Sequence, residues 1–166
     1  MKLLYIVDMK MPTPKAHGIH VAKMCEAFGK NGIDTTLVAP RSVSRIKDDP
    51  FTYYGLEHTF KHMPIWCINL NRYFPVVGYW LRFFSFPIFT LLRFLFTPRN
   101  SVHVHTRDFI VARIFTSFGF NVSYEAHRIP TKKKQFFSHL RNVSKIVANS
   151  EGVAQEFREA GFANVL

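Results

Sequence analysis

Ionisable side chains stand at the ends of two apolar, strand-like runs in the second half of the sequence. His105 and Arg107 follow "SVHV", and Glu125, His127 and Arg128 close "NVSYEAHR". Carboxylates and imidazoles hydrogen-bond hydroxyl groups and transfer protons, and the planar guanidinium of arginine suits phosphates and carboxylates. Because ligands of parallel sheets bind beyond the carboxyl ends of the strands, the sequence predicts a polar binding crevice there.

Strands and helices must alternate to bring these residues to one edge. A strand at residues 3–7 leads to an amphipathic helix, which Gly32 is suited to end, and then to a strand at 33–40. We predict one domain over residues 1–166, an α/β Rossmann-like fold with a doubly wound, mostly parallel sheet and helices on both faces. Further predicted strands are 101–105, 121–127 and 145–150, short ones at 51–55 and 63–70, and a strand-like start at 162; further helices are 108–118, 132–142 and 151–160.

A single glycine, Gly18, lies between the first strand and the first helix, flanked by His17 and His20. A glycine at this point allows a phosphate to approach the backbone N–H groups of the helix N-terminus. The dinucleotide-binding pattern needs three glycines, so its absence argues against a dinucleotide site. An ordinary flexible loop is the alternative interpretation of Gly18.

The alternation of side chains along the strands that end near His105 and His127 predicts which side chains share the cleft. His103 and His105 are predicted to point to opposite faces of the sheet, which leaves His105, nearer the carboxyl end, in the cleft. Glu125 and His127 are two residues apart and are predicted to share a face. Glu125 would orient the imidazole or hold a hydroxyl group, or else pair with Arg128.

Other candidates each have a structural alternative, and for Ser150 the alternative is favoured. Arg107 and Arg128 either hold an anionic group or are solvated at the surface. Ser150, with Asn149, either contacts a substrate or caps the last helix. No closely spaced third ligand accompanies the histidines, so neither a metal site nor another cofactor is expected.

The composition favours anionic partners. The chain has 22 lysines and arginines against 11 acidic residues, a formal net charge of +11. Such a charge favours phosphate-bearing ligands, nucleic acid or an acidic membrane face. Nucleic acid is not expected, because the aromatic residues cluster in apolar runs rather than alternating with basic ones. Cys25 and Cys67 lack metal-ligand spacing and are interpreted as reduced core residues of a cytoplasmic protein.

Residues 73–96 form an aromatic segment, "YFPVVGYWLRFFSFPIFTLLRFLF", interrupted by Arg82 and Arg93. These charges argue against a membrane-spanning helix, and Pro75 and Pro87 are predicted to kink or bound helices. Two interpretations remain open. The segment is either a buried helix with arginines at its edge, or an aromatic, cationic surface that enters a membrane interface.

Four blocks in order resemble the N-terminal domain of glycosyltransferase family 4, which has the GT-B fold. They are "KAHGIHVAKMCEAFGKNGIDTTLVAP", "SVHVHTRD", "SYEAHRIP" and "KIVANSEGVAQEFREAGF". They are similar to the family's glycine loop, its His-x-His strand end, its Glu-x-His strand end, and its serine-bearing strand end with the helix that follows. The resemblance is weakest over residues 41–98.

The resemblance implies the acceptor side of a retaining glycosyltransferase, which usually works without a metal ion. A second Rossmann-like domain holds the nucleotide-sugar in this family. That domain is expected to be absent here, which would leave the chain inactive alone. His127 matches the family's pocket histidine and is the catalytic candidate. The predicted substrate-binding residues are His17, Gly18, His105, Arg107, Glu125, Arg128 and Ser150.

The expected partners are a nucleotide-sugar, bound through the missing domain, and a glycan or lipid-linked acceptor. The anionic inner face of a membrane is a further candidate partner. The aromatic segment, or the basic run 132–134 with Phe136 and Phe137, would contact it. The alternative is a non-catalytic module that docks to a membrane or to a partner transferase. Single-stranded nucleic-acid binding is the third possibility.

Overall fold

The computed structural model describes residues 1–41, 46–68, 70 and 74–166. Six parallel strands form one sheet in the order β3-β2-β1-β4-β5-β6. This is the doubly wound order, so the predicted α/β Rossmann-like fold is confirmed. The strands are β1 (Lys2–Ile6), β2 (Asp34–Pro40), β3 (Lys61–Ile65), β4 (Val102–Thr106), β5 (Asn121–Ala126) and β6 (Lys145–Ala148).

Helices connect the strands, and several end where the sequence predicts. Gly32, with a φ of 77°, follows the last turn of the first helix in the left-handed region that glycine tolerates. Val165 forms a parallel bridge with Ile146, at the strand-like run predicted from residue 162. The helices are α1 (Ala16–Lys30), α2 (Pro50–Tyr54), α3 (Pro75–Phe94), α4 (Phe109–Ser117), α5 (Lys133–Leu140) and α6 (Glu151–Glu159).

The sheet has two different faces, because side chains alternate along each strand. Leu4, Val104 and Val122 belong to the larger apolar core, to which α3, α4, α5 and α6 contribute. Tyr5 and Leu37 belong to a smaller core on the other face, which they share with α1 and α2. The sheet side of this smaller core comes from β1 and β2, together with Val7 directly after β1.

The segment at residues 51–55 is a helix rather than the predicted strand. The Asp49 side chain accepts hydrogen bonds from the backbone N–H groups of Phe51 and Thr52, and Gly55 ends the helix with a φ of 62°. This capping outweighs the strand preference of the aromatic residues. The strand predicted at 63–70 is limited to β3, and its Asn69 lies outside the described residues.

The aromatic segment forms one continuous helix, α3. Pro75 begins it, as predicted, but Pro87 lies inside it without ending it. Tyr73 lies outside the described residues. One side of α3 packs into the core through Phe86 and Phe94. The other side is exposed, and we call it the aromatic face: Val76, Val77, Tyr79, Trp80, Leu81, Phe84, Ile88 and Leu92.

One side of α3 is therefore buried, as the first interpretation predicts, whereas contact of the exposed side with a membrane stays a prediction. Arg82 does not extend into solvent but pairs with Asp8, whereas Arg93 is exposed. Among the described residues, none of the helices combines the length and apolarity that crossing a bilayer would need.

Candidate functional site

The sheet face that carries α1 is apolar at β1 and β2 but polar at β4, β5 and β6. Here the polar side chains line a cavity of about 720 Å³, bounded on one side by α1. This volume lies within the usual range of small-molecule sites. The polar strand residues that line it are His103, His105, Asn121, Ser123, Glu125 and Lys145.

Glu125 is the centre of the polar network in this cavity. Its Oε2 accepts a hydrogen bond from the Tyr5 hydroxyl group and lies 3.4 Å from His105 Nε2. Its Oε1 lies 2.5 Å from His127 Nε2 and 3.1 Å from His20 Nε2. The prediction that Glu125 and His127 share a face is confirmed, and the carboxylate orients the imidazole.

The Glu125 carboxyl group is held in its ionised form. Burial by itself raises the pKa of a carboxyl group. Against this effect, the nearby His105 imidazole, the hydrogen bonds from Tyr5 and His127, and the Arg107 guanidinium hold the pKa of Glu125 well below its usual range. The site thus presents a fixed negative charge surrounded by imidazoles, an arrangement suited to binding hydroxyl groups.

The prediction that His103 and His105 face opposite sides of the sheet is wrong. Both line the cavity, and both are hydrogen-bonded to Ser123 Oγ. The distance is 2.9 Å from His103 Nε2 and 2.7 Å from His105 Nδ1. Residues two apart in a strand share a face, so the alternation places the two imidazoles together. Burial lowers the pKa of His103, assisted by His105 and Lys145.

The other predicted binding residues lie outside the cavity lining. Arg107 Nε is 3.8 Å from Glu125 Oε1, and its buried Nη1 has no hydrogen-bond partner among the described residues. His17 is largely exposed. The little burial that it has, together with the nearby Arg107 charge, lowers its pKa. Arg128 is exposed. Ser150 occupies the N-cap position of α6, although its side chain makes no capping hydrogen bond.

Two cavity residues outside the predicted substrate-binding set contact the Glu125–His127 pair. His20 reaches Glu125 from α1, and Asn149 Nδ2 lies 3.3 Å from His127 Nδ1. His20, Met24 and Phe28 all line the cavity and are spaced four residues apart on one side of α1. This four-residue spacing was a usable signal for placing His20 on the same side of the helix as Met24 and Phe28.

Gly18 lies inside the first turn of α1 rather than in the preceding loop, and it is buried. A Cβ atom at this position would stand 2.2 Å from Thr13 Cγ2 and 2.5 Å from the Tyr54 hydroxyl oxygen. That hydroxyl group is fixed, because it accepts from the Thr13 backbone N–H and donates to the Thr13 carbonyl. Close packing therefore accounts for this glycine, and its approach to a phosphate stays a prediction.

Replacing Gly18 with alanine is expected to lower the free energy of unfolding by about 1–3 kcal/mol, because the added methyl group overpacks a fixed contact. Gly152→Ala is the matched control, since Gly152 lies in α6 with nothing within 4 Å of its Cβ position. There, alanine should stabilise the helix by up to about 1 kcal/mol. Urea unfolding measures both changes, and a Gly18→Ala protein as stable as wild type would contradict the packing argument.

A second polar cluster lies where β1 and β4 end. The backbone N–H of Asp8 donates to Asp108 Oδ2 at 2.6 Å, and Arg82 Nη1 lies 2.7 Å from Asp8 Oδ1. Burial raises the pKa of Asp8 to about 7, against the Arg82 charge and with the help of Asp108. Burial also raises the pKa of Asp108.

This cluster predicts a pH-dependent stability. Asp8 has an ordinary pKa of 3.8 and a folded pKa of about 7, so the folded state binds the proton more tightly between these values. The free energy of unfolding should therefore fall as pH rises from about 4 to about 7, by on the order of 3–4 kcal/mol. Urea unfolding across this range should show a clearly smaller fall in Asp8→Asn than in wild type, because only the contribution of Asp108 then remains from this cluster. Equal slopes in the two proteins would refute the burial argument.

Comparison with known proteins extends the fold assignment. No protein-family model and no curated protein matches the sequence. The structure of Phytolacca americana UGT2 complexed with UDP-2-fluoro-glucose and pterostilbene is similar, with a TM-score of 0.58 at 12% identity over 99% of this chain and 52% of that one. The chain shares the α/β fold of about half of that structure. Apo UGT2 gives a TM-score of 0.54 at 11% identity, over 99% and 50% of the two chains.

The chain thus spans about half the length of the solved structures it resembles. At these identities the likeness concerns the fold, and it agrees with a domain of the GT-B type. Membership of glycosyltransferase family 4 is a finer assignment, which stays a prediction.

Proposed function

We propose that this chain is the acceptor-binding domain of a retaining glycosyltransferase, which transfers a sugar from a nucleotide-sugar to a glycan or lipid-linked acceptor. The observation that carries the proposal is the cavity on a Rossmann-like sheet with the ionised Glu125 at its centre. The retaining outcome and the separate donor-binding domain follow from the resemblance to family 4.

The cavity has the chemistry of a site for hydroxyl groups. Glu125 offers an acceptor, His127 and His20 each present a ring nitrogen beside it, and Lys145 adds a donor. Met24 and Phe28 provide an apolar wall against which the face of a sugar ring can pack. Arg107, close behind Glu125, would hold an anionic group of the acceptor or donor.

His127 is the proposed catalytic residue. Its Nε2 is oriented by Glu125, and its side chain is 31% exposed, so the ring is both fixed and accessible. It would hydrogen-bond the transferred sugar at the mouth of the cavity. Gly18 would act by keeping α1, and with it His20, close to the sheet.

Ligand-detected NMR tests the acceptor role directly. Saturation-transfer signals should appear for alkyl and aryl hexosides, whereas UDP-glucose should give little signal, because the proposal assigns nucleotide-sugar binding to a separate domain. His127→Ala should reduce the hexoside signal at least about fivefold. His58→Ala is the control, since His58 stacks on Phe51 outside the cavity lining. No hexoside signal from folded wild-type protein would contradict the acceptor assignment.

Contact with an anionic membrane is the second part of the proposal. The aromatic face of α3 exposes eight large apolar side chains, and the net charge of +11 favours an anionic surface. In the basic run, Lys133 pairs with Glu156 while Lys132 and Lys134 are exposed. The aromatic face also supports the alternative function, a non-catalytic module that docks to a membrane or to a partner transferase.

A further inference from the structure

His20, Glu125 and His127 bring three potential metal ligands together. Glu125 and His127 come from β5 and the residue just after it, whereas His20 comes from α1, 105 positions away from Glu125 in sequence. One ligand atom from each residue lies within 4.8 Å of the other two. All three residues line the cavity. Two imidazoles and one carboxylate are a ligand set that zinc accepts.

The distances suit a tetrahedral ion. Bonds of about 2.0–2.2 Å to nitrogen and oxygen, at the tetrahedral angle, place neighbouring ligand atoms about 3.3–3.6 Å apart. His20 Nε2 is 3.1 Å from Glu125 Oε1, and His127 Nε2, at 2.5 Å, would withdraw by about 0.8–1.1 Å. The side chains of His20 and His127 are 46% and 31% exposed, so both can adjust around the buried carboxylate.

The surrounding groups support the ligands. Tyr5 and His105 contact Glu125 Oε2, which leaves Oε1 for an ion. Asn149 Nδ2 lies 3.3 Å from His127 Nδ1. An ion on Nε2 would leave a proton on Nδ1, and rotation of the Asn149 amide would present its oxygen to that proton. Such outer hydrogen bonds fix the orientation of histidine ligands in metal sites.

The charge balance limits the site to weak or moderate affinity unless an anion is also present. Arg107 Nε lies 3.8 Å from Glu125 Oε1, and its positive charge opposes a second cation. A fourth coordination position would face the cavity, where water or an oxygen of an anionic ligand could complete the tetrahedron. We propose that His20, Glu125 and His127 bind a divalent metal ion of the zinc type at the wall of this cavity.

Zinc binding to the full chain tests this proposal without reference to sugar transfer. Isothermal titration with Zn²⁺ alone should show one saturable site per chain. His20→Ala and His127→Ala should each weaken the affinity at least about tenfold. His103→Ala is the matched control, because His103 lines the same cavity but lies outside the three-residue set. Circular dichroism establishes that each variant is folded.

Co²⁺ provides a second readout, since a tetrahedral nitrogen and oxygen site intensifies its visible absorption. The intensified spectrum should appear with wild type and His103→Ala and be lost with His20→Ala. Absence of saturable one-to-one binding, or equal affinities in wild type and both ligand variants, would overturn the proposal. Hexoside binding is measured separately, so failure of the metal site leaves the acceptor assignment intact, and the reverse also holds.

Discussion

Replacing Glu125 with alanine is expected to lower the free energy of unfolding by about 3 kcal/mol. The change removes the acceptor for the buried Tyr5 hydroxyl group and leaves the Arg107 charge without its nearest carboxylate. Buried donors and charges without partners are costly, since they have lost their contacts with water as well. Urea unfolding at neutral pH measures the loss.

Two variants separate this effect from ordinary loss of a charge. Glu125→Gln keeps an acceptor oxygen for Tyr5, so it should destabilise less than Glu125→Ala. Glu151→Ala removes a carboxylate whose side chain is 80% exposed and paired with Arg158, and it should change stability by less than about 1 kcal/mol. If Glu125→Ala were as mild as Glu151→Ala, Glu125 would not be the centre of a buried network.

Vesicle binding should depend on the aromatic face of α3. The chain is expected to sediment with vesicles of phosphatidylcholine and phosphatidylglycerol, and less so with phosphatidylcholine alone. Trp80→Glu combined with Phe84→Glu should weaken binding at least about tenfold, because each aromatic side chain contributes about 1.5–3 kcal/mol when it leaves water. Both side chains are 51% exposed and neither belongs to the buried core, so the changes should affect vesicle binding more than stability.

Phe118→Glu is the control for the vesicle experiment. Phe118 is 50% exposed and follows α4, outside the aromatic face. Its replacement adds one negative charge without altering α3, so it matches either single change, Trp80→Glu or Phe84→Glu, tested alone. If Phe118→Glu weakened binding as much as the α3 changes, net charge alone would account for the attraction. If wild-type protein did not bind anionic vesicles, the aromatic face would belong to a protein interface instead.

The order of elements could be predicted from the sequence because the apolar periodicity is local. Apart from β3, the sheet strands fall close to their predicted positions, and Gly32 and Gly119 adopt the positive φ angles typical of residues that follow a helix. Residues 51–55 were misassigned because the decisive signal was the Asp49 cap and not the composition of the segment. Pro87 did not break α3, since packing of Phe86 and Phe94 into the core supports the helix on both sides.

The site was predicted in part. Glu125, His127 and His105 lie in the cavity, and the pairing of the first two follows from the period of a strand. The same period, correctly applied, would have placed His103 there as well. Tyr5 and His20 could not be assigned to Glu125 from the sequence, because 120 and 105 positions separate them from it. The contact of Gly18 with Tyr54 depends likewise on the folded chain.

Chemical-shift mapping of a hexoside tests the central claim most directly, because it locates the bound sugar on the folded chain. The backbone amides of Ser123, Glu125 and His127 should shift on titration of ¹⁵N-labelled protein with an aryl hexoside. The amides of α5, which faces the other side of the sheet, should not shift. Shifts confined to α3 or α5, with none around Glu125, would contradict the assignment of this cavity as the sugar-binding site.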